Sequence, residues 1–482
     1  MKRTLFAAAV LALSSSCAVY AAEVNEQGAK SLKDSLSYFL PEGVKSSNFL
    51  SVKPSGERYE ITYDFARLLS SIDKKKDFTV SGLTPFSVFA APMDNGQWKL
   101  NSDSDLNFTV QGKLPDGKPT NLTYSVTDMV FSGIFDPAIS YLRSGEATSG
   151  PIRMVSKNGP DEIEASFAGM NYSITSAASA TAGATDFNGT GSFQRFYEQV
   201  TTPQSPPIQI RADSLDFDAS VQGVAPEKMR NLISLVLEMI KDEKPSQADI
   251  GKLKDMIRGA MPFFTSLSEK LTFKEFSVGS PMGEFGLGKL DYTLAMTEPS
   301  EKTRIGIGAR IEDISTPSGL VPRIYAPLMP DVADVEFGIA DLNFTRFVNE
   351  LMAIDFSKPG PVSDAQGEKL GRAFLSDGQI VIDFPKIAAK SGLYDIEASG
   401  KVRGYPDQKD RYTLQATIYA RDIDKLIQYF QKSAKSDPQL SQASFGVMMA
   451  KGMAKTEPDG RLRWDIEIRD SKSFSVNGQV LK

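Results

Sequence analysis

No histidine occurs anywhere in the 482 residues, and the single cysteine is Cys17. Without imidazole there is no Ser–His or Cys–His nucleophile pair, no histidine general acid–base step and no ordinary zinc or copper site. Once Lys2 and Arg3 are set aside, 52 basic side chains face 60 acidic ones, a net charge of −8. A mildly acidic surface of this kind argues against a nucleic-acid partner. Long apolar runs are also missing. The only candidate is Leu5–Leu13, too short to span a bilayer as an anchor.

What is present at the start reads as an export leader. Lys2 and Arg3 give the charged beginning, Leu5–Leu13 the apolar core, and Val19-Tyr20-Ala21 the cleavage region. Residues 1–22 are thus expected to be a signal peptide cut near Ala21, delivering the chain to the periplasm. A competing reading makes Cys17 a lipoprotein acceptor; Ser14 stands where such sites want Leu, which disfavours it. Cleavage after Ala21 leaves no thiol, so about 460 residues must fold on their core alone.

One phrase then occurs three times: Asp64-Phe65-Ala66-Arg67-Leu68-Leu69, Asn343-Phe344-Thr345-Arg346-Phe347-Val348 and Asp422-Ile423-Asp424-Lys425-Leu426-Ile427. Each opens on Asp or Asn, a side chain able to accept from the first free N–H groups of a helix. Apolar residues follow at helical spacing. Upstream of every copy the apolar residues alternate (Tyr59, Ile61, Tyr63; Val335, Phe337, Ile339; Leu414, Ala416, Ile418), so the unit is a strand handing directly into a helix.

Between the copies, alternation dominates. A first helix is expected over 24–40, strands over 48–52 and 58–63, and a two-residue hairpin at Asn95-Gly96. Pro115-Asp116-Gly117 reads as a turn, and Asp136-Pro137 as the start of a short helical piece. The Ala-, Ser-, Thr- and Gly-rich stretch 176–191 is either a linker or a weak strand, and Pro203–Pro207 reads as a break. Two helices in tandem follow, from Pro226 to Ile240 and from Gln247 to Leu267. Strands return to the end of the chain, with helices near 365–375 and 439–454 and a last strand over Phe474–Leu481. The expected division is a β-rich part 23–206 and an α+β part 207–482, whose sheet can run on continuously. The fold class is α+β: a long, strongly curved, mainly antiparallel sheet, a meander or half-barrel, with amphipathic helices on its inner face.

No catalytic, cofactor-binding or metal-ligating residue stands out. Ser71-Ile72-Asp73-Lys74 matches a serine–lysine nucleophile pattern, but its companion elements are missing and the stretch ends a helix. Gly283, Gly286 and Gly288 echo a dinucleotide loop without the helix that should follow, and read as strand glycines. Asp213, Asp216 and Asp218 lack the spacing and turn glycine of a calcium loop. The Phe and Met stripes read first as ordinary core. Adaptable contact is best placed at Met448, Met449 and Met453, beside Phe445.

In its leader, alternating strands and strand-to-helix entries such as Ala420-Arg421-Asp422-Ile423-Asp424, the chain resembles a family of uncharacterised exported alphaproteobacterial proteins. It is also similar to AsmA-like and LolA-like envelope proteins. That resemblance implies a folded sheet with an apolar groove for lipid or lipoprotein, and no site residues. The expectation is a non-catalytic periplasmic protein binding a lipid or other apolar envelope component. The alternatives are an envelope assembly factor without ligand and a carboxylate-based glycan hydrolase. Expected partners are lipid or envelope proteins, with no cofactor and no transmembrane anchor in the mature chain.

Overall fold

The structure, a computed structural model, describes residues 24–37, 45–72, 78–113, 117–139, 141–239, 246–354, 363–408 and 411–481. The leader with Cys17, Lys74 and Pro115-Asp116 lie outside these. Within them the chain is α+β, with eight helices and 23 strands, and the strand pairings are antiparallel. It forms two compact units, one running to Ser266 and one from Leu267.

The first unit begins with α1 (Glu26–Ser37), the hairpin β1 (Leu50–Ser55) and β2 (Arg58–Tyr63), and α2 (Phe65–Ile72). Then come β3 (Phe78–Ser81), β4 (Phe86–Pro92), β5 (Trp98–Lys113), β6 (Pro119–Asp136), β7 (Tyr141–Ser149) and β8 (Ile152–Asn158). β9 (Asp161–Phe167), β10 (Gly169–Ala178), β11 (Thr185–Thr202) and β12 (Ser205–Val224) complete its sheet. Long strands alternate with pairs of short ones laid end to end. β5 takes β4 and β3 along one edge and β6 along the other; β6 takes β7 and β8; β11 takes β10 and β9, then β12. Helices α3 (Pro226–Met239) and α4 (Gln247–Ala260) follow, α4 opening on a reciprocal cap between Ser246 and Asp249.

Several local expectations are corrected here. Asn95-Gly96 is part of a three-residue loop: Met93 and Gln97 still pair, and Gly96 takes the left-handed position. Asp136-Pro137 opens a turn, not a helix, because the Asp136 carboxylate accepts from Ala138 N–H and from Arg143. Of the two readings of 176–191 the strand one holds, as the β10–β11 hairpin: a Cβ at Gly191 would lie 2.4 Å from the Phe217 ring and 2.6 Å from the Asn171 carbonyl oxygen. Pro203–Pro207 belongs to the β11–β12 hairpin. The second tandem helix stops at Ala260, ahead of Pro262, and Leu267 is already in a strand.

The core of this unit sits where α1 and α2 cover one end of the sheet. Ala29 and Leu68 from the helices meet Phe49, Tyr59, Ile61, Val88, Trp98, Leu100, Phe135 and Ile174. Toward the other end the same face carries rings leaning on one another, Phe167–Phe193 at 4.9 Å, Phe167–Phe196 at 5.1 Å and Tyr172–Phe217 at 5.7 Å.

The second unit holds β13 (Ser266–Ser280), β14 (Gly283–Thr297), β15 (Thr303–Ser315), β16 (Val332–Leu342), α5 (Phe344–Ala353), α6 (Asp364–Ala373), β17 (Ile380–Lys390), β18 (Asp395–Gly404) and β19 (Tyr412–Arg421). It closes with α7 (Ile423–Ser433), α8 (Gln439–Gly452), β20 (Lys455–Thr456), β21 (Leu462–Arg469), β22 (Ser473–Val476) and β23 (Gln479–Val480). From β14 to β19 each strand pairs with the next, and β19 continues to β21 and β22. The expected last strand is cut in two by Asn477-Gly478, both left-handed, which form the two-residue turn between β22 and β23.

All three phrases form the strand-to-helix unit, with one residue between β2 and α2, β16 and α5, and β19 and α7. Asp64 and Asn343 cap their helices by accepting from Arg67 and Arg346 N–H. Asp422 does not: it takes the left-handed conformation, its side chain makes no cap bond, and it pairs with Lys425 instead. No helix among the described residues is long and apolar enough to cross a membrane.

Candidate functional site

The residues tested for chemistry are placed as follows. Gly283, Gly286 and Gly288 lie on β14, where a Cβ at Gly286 would come within 2.6 Å of the Ser315 hydroxyl. Asp216 and Asp218 are on β12, and Asp216 accepts from Ser192 at 2.6 Å. Among the described residues no three carboxylates or thiols gather as a metal would need. Ser71 ends α2, and its partner Lys74 lies outside the described residues.

Two acids do approach each other in the second unit. Arg304 on β15 grips Asp383 on β17 through Nε (2.8 Å to Oδ2) and Nη2 (3.0 Å to Oδ1), and its Nη2 also reaches Glu336 on β16 at 3.0 Å. The guanidinium lies over Gly306 and Gly338, where a Cβ would come within 2.4 and 2.8 Å of it. The bond to Asp383 holds the Arg304 cation above its ordinary value, so it stays charged. Both carboxylates are committed to the same cation, so this pair does not stand as the two free acids that glycoside cleavage uses. Beside them Arg310 and Lys386 both reach Asp334, at 3.3 and 2.8 Å. Asp291, opposite Arg310, is nearly buried. Burial alone would raise its carboxyl, but Lys289, Thr272 and Lys270 outweigh that and hold it below the usual range. This side of the sheet is a lattice of paired charges.

The other side is its inverse. Side chains alternate across a strand, and directly paired residues share a face. Met296 pairs with Ile305, Ile305 with Ile339, Ile339 with Ile382, Ile382 with Val402, Val402 with Leu414, Leu414 with Ile468, and Ile468 with Phe474. Eight strands thus contribute one apolar side chain each to a single ladder, about 33 Å long at the usual strand spacing. A neighbouring row runs Leu294, Ile307, Phe337, and after the bulge in β17, Phe384, Gly400, Ala416, Ile466 and Val476. Nothing charged interrupts either row.

Helices α7 and α8 cover one end of this face. Ala420, Ile423, Ile427, Trp464 and Val476 form a buried cluster under α7 and α8, with Trp464 donating to the Ala450 carbonyl at 2.7 Å. Over β15–β17 the face is open: Ile307 is 49% exposed, Ile339 45%, Phe337 41%, Ile382 40% and Ile380 38%. Apolar side chains exposed singly need no explanation, whereas these are cross-strand neighbours forming one patch. Sequence reading missed them as a site. Their alternation was visible, but exposure depends on what the helices leave uncovered. The Met stripe is exposed too, on the outer side of α8.

Comparison of the chain with protein-family models, with curated proteins and with solved structures returned no match.

Proposed function

We propose that the protein is a non-catalytic protein of the periplasm that holds a lipid, or another apolar envelope component, on the aliphatic face of its second unit. The observation that carries this reading is the contiguous exposure of Ile307, Phe337, Ile339, Ile380 and Ile382 in the middle of an uninterrupted apolar ladder. Covering the exposed half of these five side chains is worth roughly 5 kcal/mol, before the loss of ligand freedom is subtracted. That suits reversible holding and release. The periplasmic address rests on the Lys2-Arg3 and Leu5–Leu13 leader.

Organic extraction of gently purified protein, followed by mass spectrometry, tests the reading. Acyl-bearing molecules are expected in near-stoichiometric amount with the native chain, and at least tenfold less with Ile339→Asp/Ile382→Asp, whose far-ultraviolet circular dichroism stays native. A clean native preparation that captures envelope proteins without lipid sinks the reading and leaves an assembly role.

A further inference from the structure

Helix α8 is apolar on both sides. Its inner side places Leu440, Ala443 and Val447 against α7 and the sheet. Its outer side presents Phe445 at 62% exposure, Met449 at 55% and Met448 at 41%, with Met453 at 40% just past the end. Phe445, Met448 and Met449 are spaced as a second helical stripe that continues to Met453, and Gln439, Ser441, Gln442, Gly446 and Gly452 fill the rest of the exposed arc without a charge. Four large apolar side chains exposed side by side form a patch that is built to be covered.

The surrounding charge indicates by what. From Asp422 to Lys455 there are five lysines against Asp422, Asp424 and Asp437, a net +2 in a chain of net −6. Three of the lysines are paired, Lys425 with Asp422 at 2.9 Å, Lys451 with Asp424 at 2.6 Å and Lys455 with Asp465 at 3.6 Å, and Asp437 is engaged by the Tyr325 hydroxyl and by Gln439 N–H. Lys432 and Lys435 on the α7 side are exposed and have no ion-pair partner among the described residues. Gln431 on α7 contacts the Met448 sulfur at 3.7 Å, and Lys435 lies in the turn just past the end of that helix. We propose that the α7–α8 hairpin docks on an anionic lipid bilayer, with Phe445, Met448, Met449 and Met453 entering the interface and Lys432 and Lys435 facing the headgroups. The covering stripe has no Trp, Tyr or Arg, the residues that anchor protein–protein contacts. Methionines adapt to whatever covers them, and phenylalanine flanked by unpaired lysines suits an anionic membrane surface.

This inference stands apart from the sheet face. Flotation of the full chain with vesicles of equal parts phosphatidylglycerol and phosphatidylethanolamine reads it directly. The native chain is expected to float with these vesicles, and about tenfold more weakly with phosphatidylcholine alone or in high salt. Phe445→Ser/Met449→Ser and, independently, Lys432→Glu/Lys435→Glu are expected to weaken flotation on the order of tenfold. Both act at exposed positions and leave co-purified lipid unchanged, so the sheet-face reading and this one can fail separately. A native chain that stays at the bottom of the gradient, or serine and glutamate variants that float as well as it does, overturns the inference. Saturable binding of the Phe445 stripe to an envelope protein in place of vesicles would overturn it equally.

Discussion

The two units solve the same problem with different side chains. Each presents a sheet with one polar and one apolar face, and in each a helix entered through the repeated phrase, α2 or α7, packs on the apolar one. In the first unit the uncovered part is aromatic, and Phe167, Phe193, Phe196, Phe217 and Tyr172 shield one another, with Gly191 leaving room for the Phe217 ring. In the second unit it is mostly aliphatic. Isoleucine is short and branched, so neighbours in a ladder touch at their sides and leave their ends in water. A ring can lie down over a neighbour; an isoleucine cannot. The first face is therefore largely self-covered and the second is left for something else.

The sharpest test of that contrast uses one substitution at two places. Ile174→Ala, at 7% exposure in the first unit, is expected to cost roughly 3 kcal/mol in urea unfolding, whereas Ile339→Ala, at 45%, should cost under about 1 kcal/mol and reduce bound lipid instead. Equal losses at the two sites would erase the distinction.

The next effect is confined to alkaline pH. Burial pushes the Tyr63 phenol, in the first unit's core, up to about 12. A group whose folded value is raised contributes stability fully present below its unfolded value near 10 and lost as pH rises through 12, here roughly 3 kcal/mol. Alkaline unfolding of the native chain should show this slope between pH 10 and 12, and Tyr63→Phe should flatten it.

Smaller, at about 2 kcal/mol, is the expected cost of Gly191→Val, because the new side chain meets both the Phe217 ring and the Asn171 carbonyl. Thermal unfolding measures it, and a neutral result would show that the aromatic face is loosely packed. The smallest effect is on the charged side of the second unit. The Asp291 carboxyl is held low, so its contribution is present above the ordinary value of 3.8 and lost as pH falls through the folded one. Asp291→Asn should cost about 1 kcal/mol at neutral pH and converge with the native chain in acid titration.

Much of this architecture was legible in advance. The phrase at Asp64, Asn343 and Asp422 marked three strand-to-helix entries because both periodicities, two and then 3.6, are local. The α+β class and antiparallel pairing followed from short turns. Misreadings occurred where a single turn depended on its surroundings: Asn-Gly made a three-residue loop at 95–96 and the two-residue one at 477–478, where no break had been expected. The apolar ladder was illegible for a deeper reason. Its rows join residues from eight strands, and their alignment is set by bulges such as that between Glu336 and Gly338, which no local pattern announces. Met448 and Met449 could be singled out because their stripe lies within one helix.

That alignment has a keeper on the opposite side of the sheet. Arg304 reaches across two neighbouring strands to Asp383 beside the bulge, and only because Gly306 and Gly338 leave the path clear. The link acts as a ruler: it holds β17 in the one register that sets Ile382 beside Ile339. Slipping that register by a single residue would turn the isoleucines of β17 toward the charges and bring Asp383 among the oily rows, so the hydrophilic surface dictates how smooth its greasy counterpart can be.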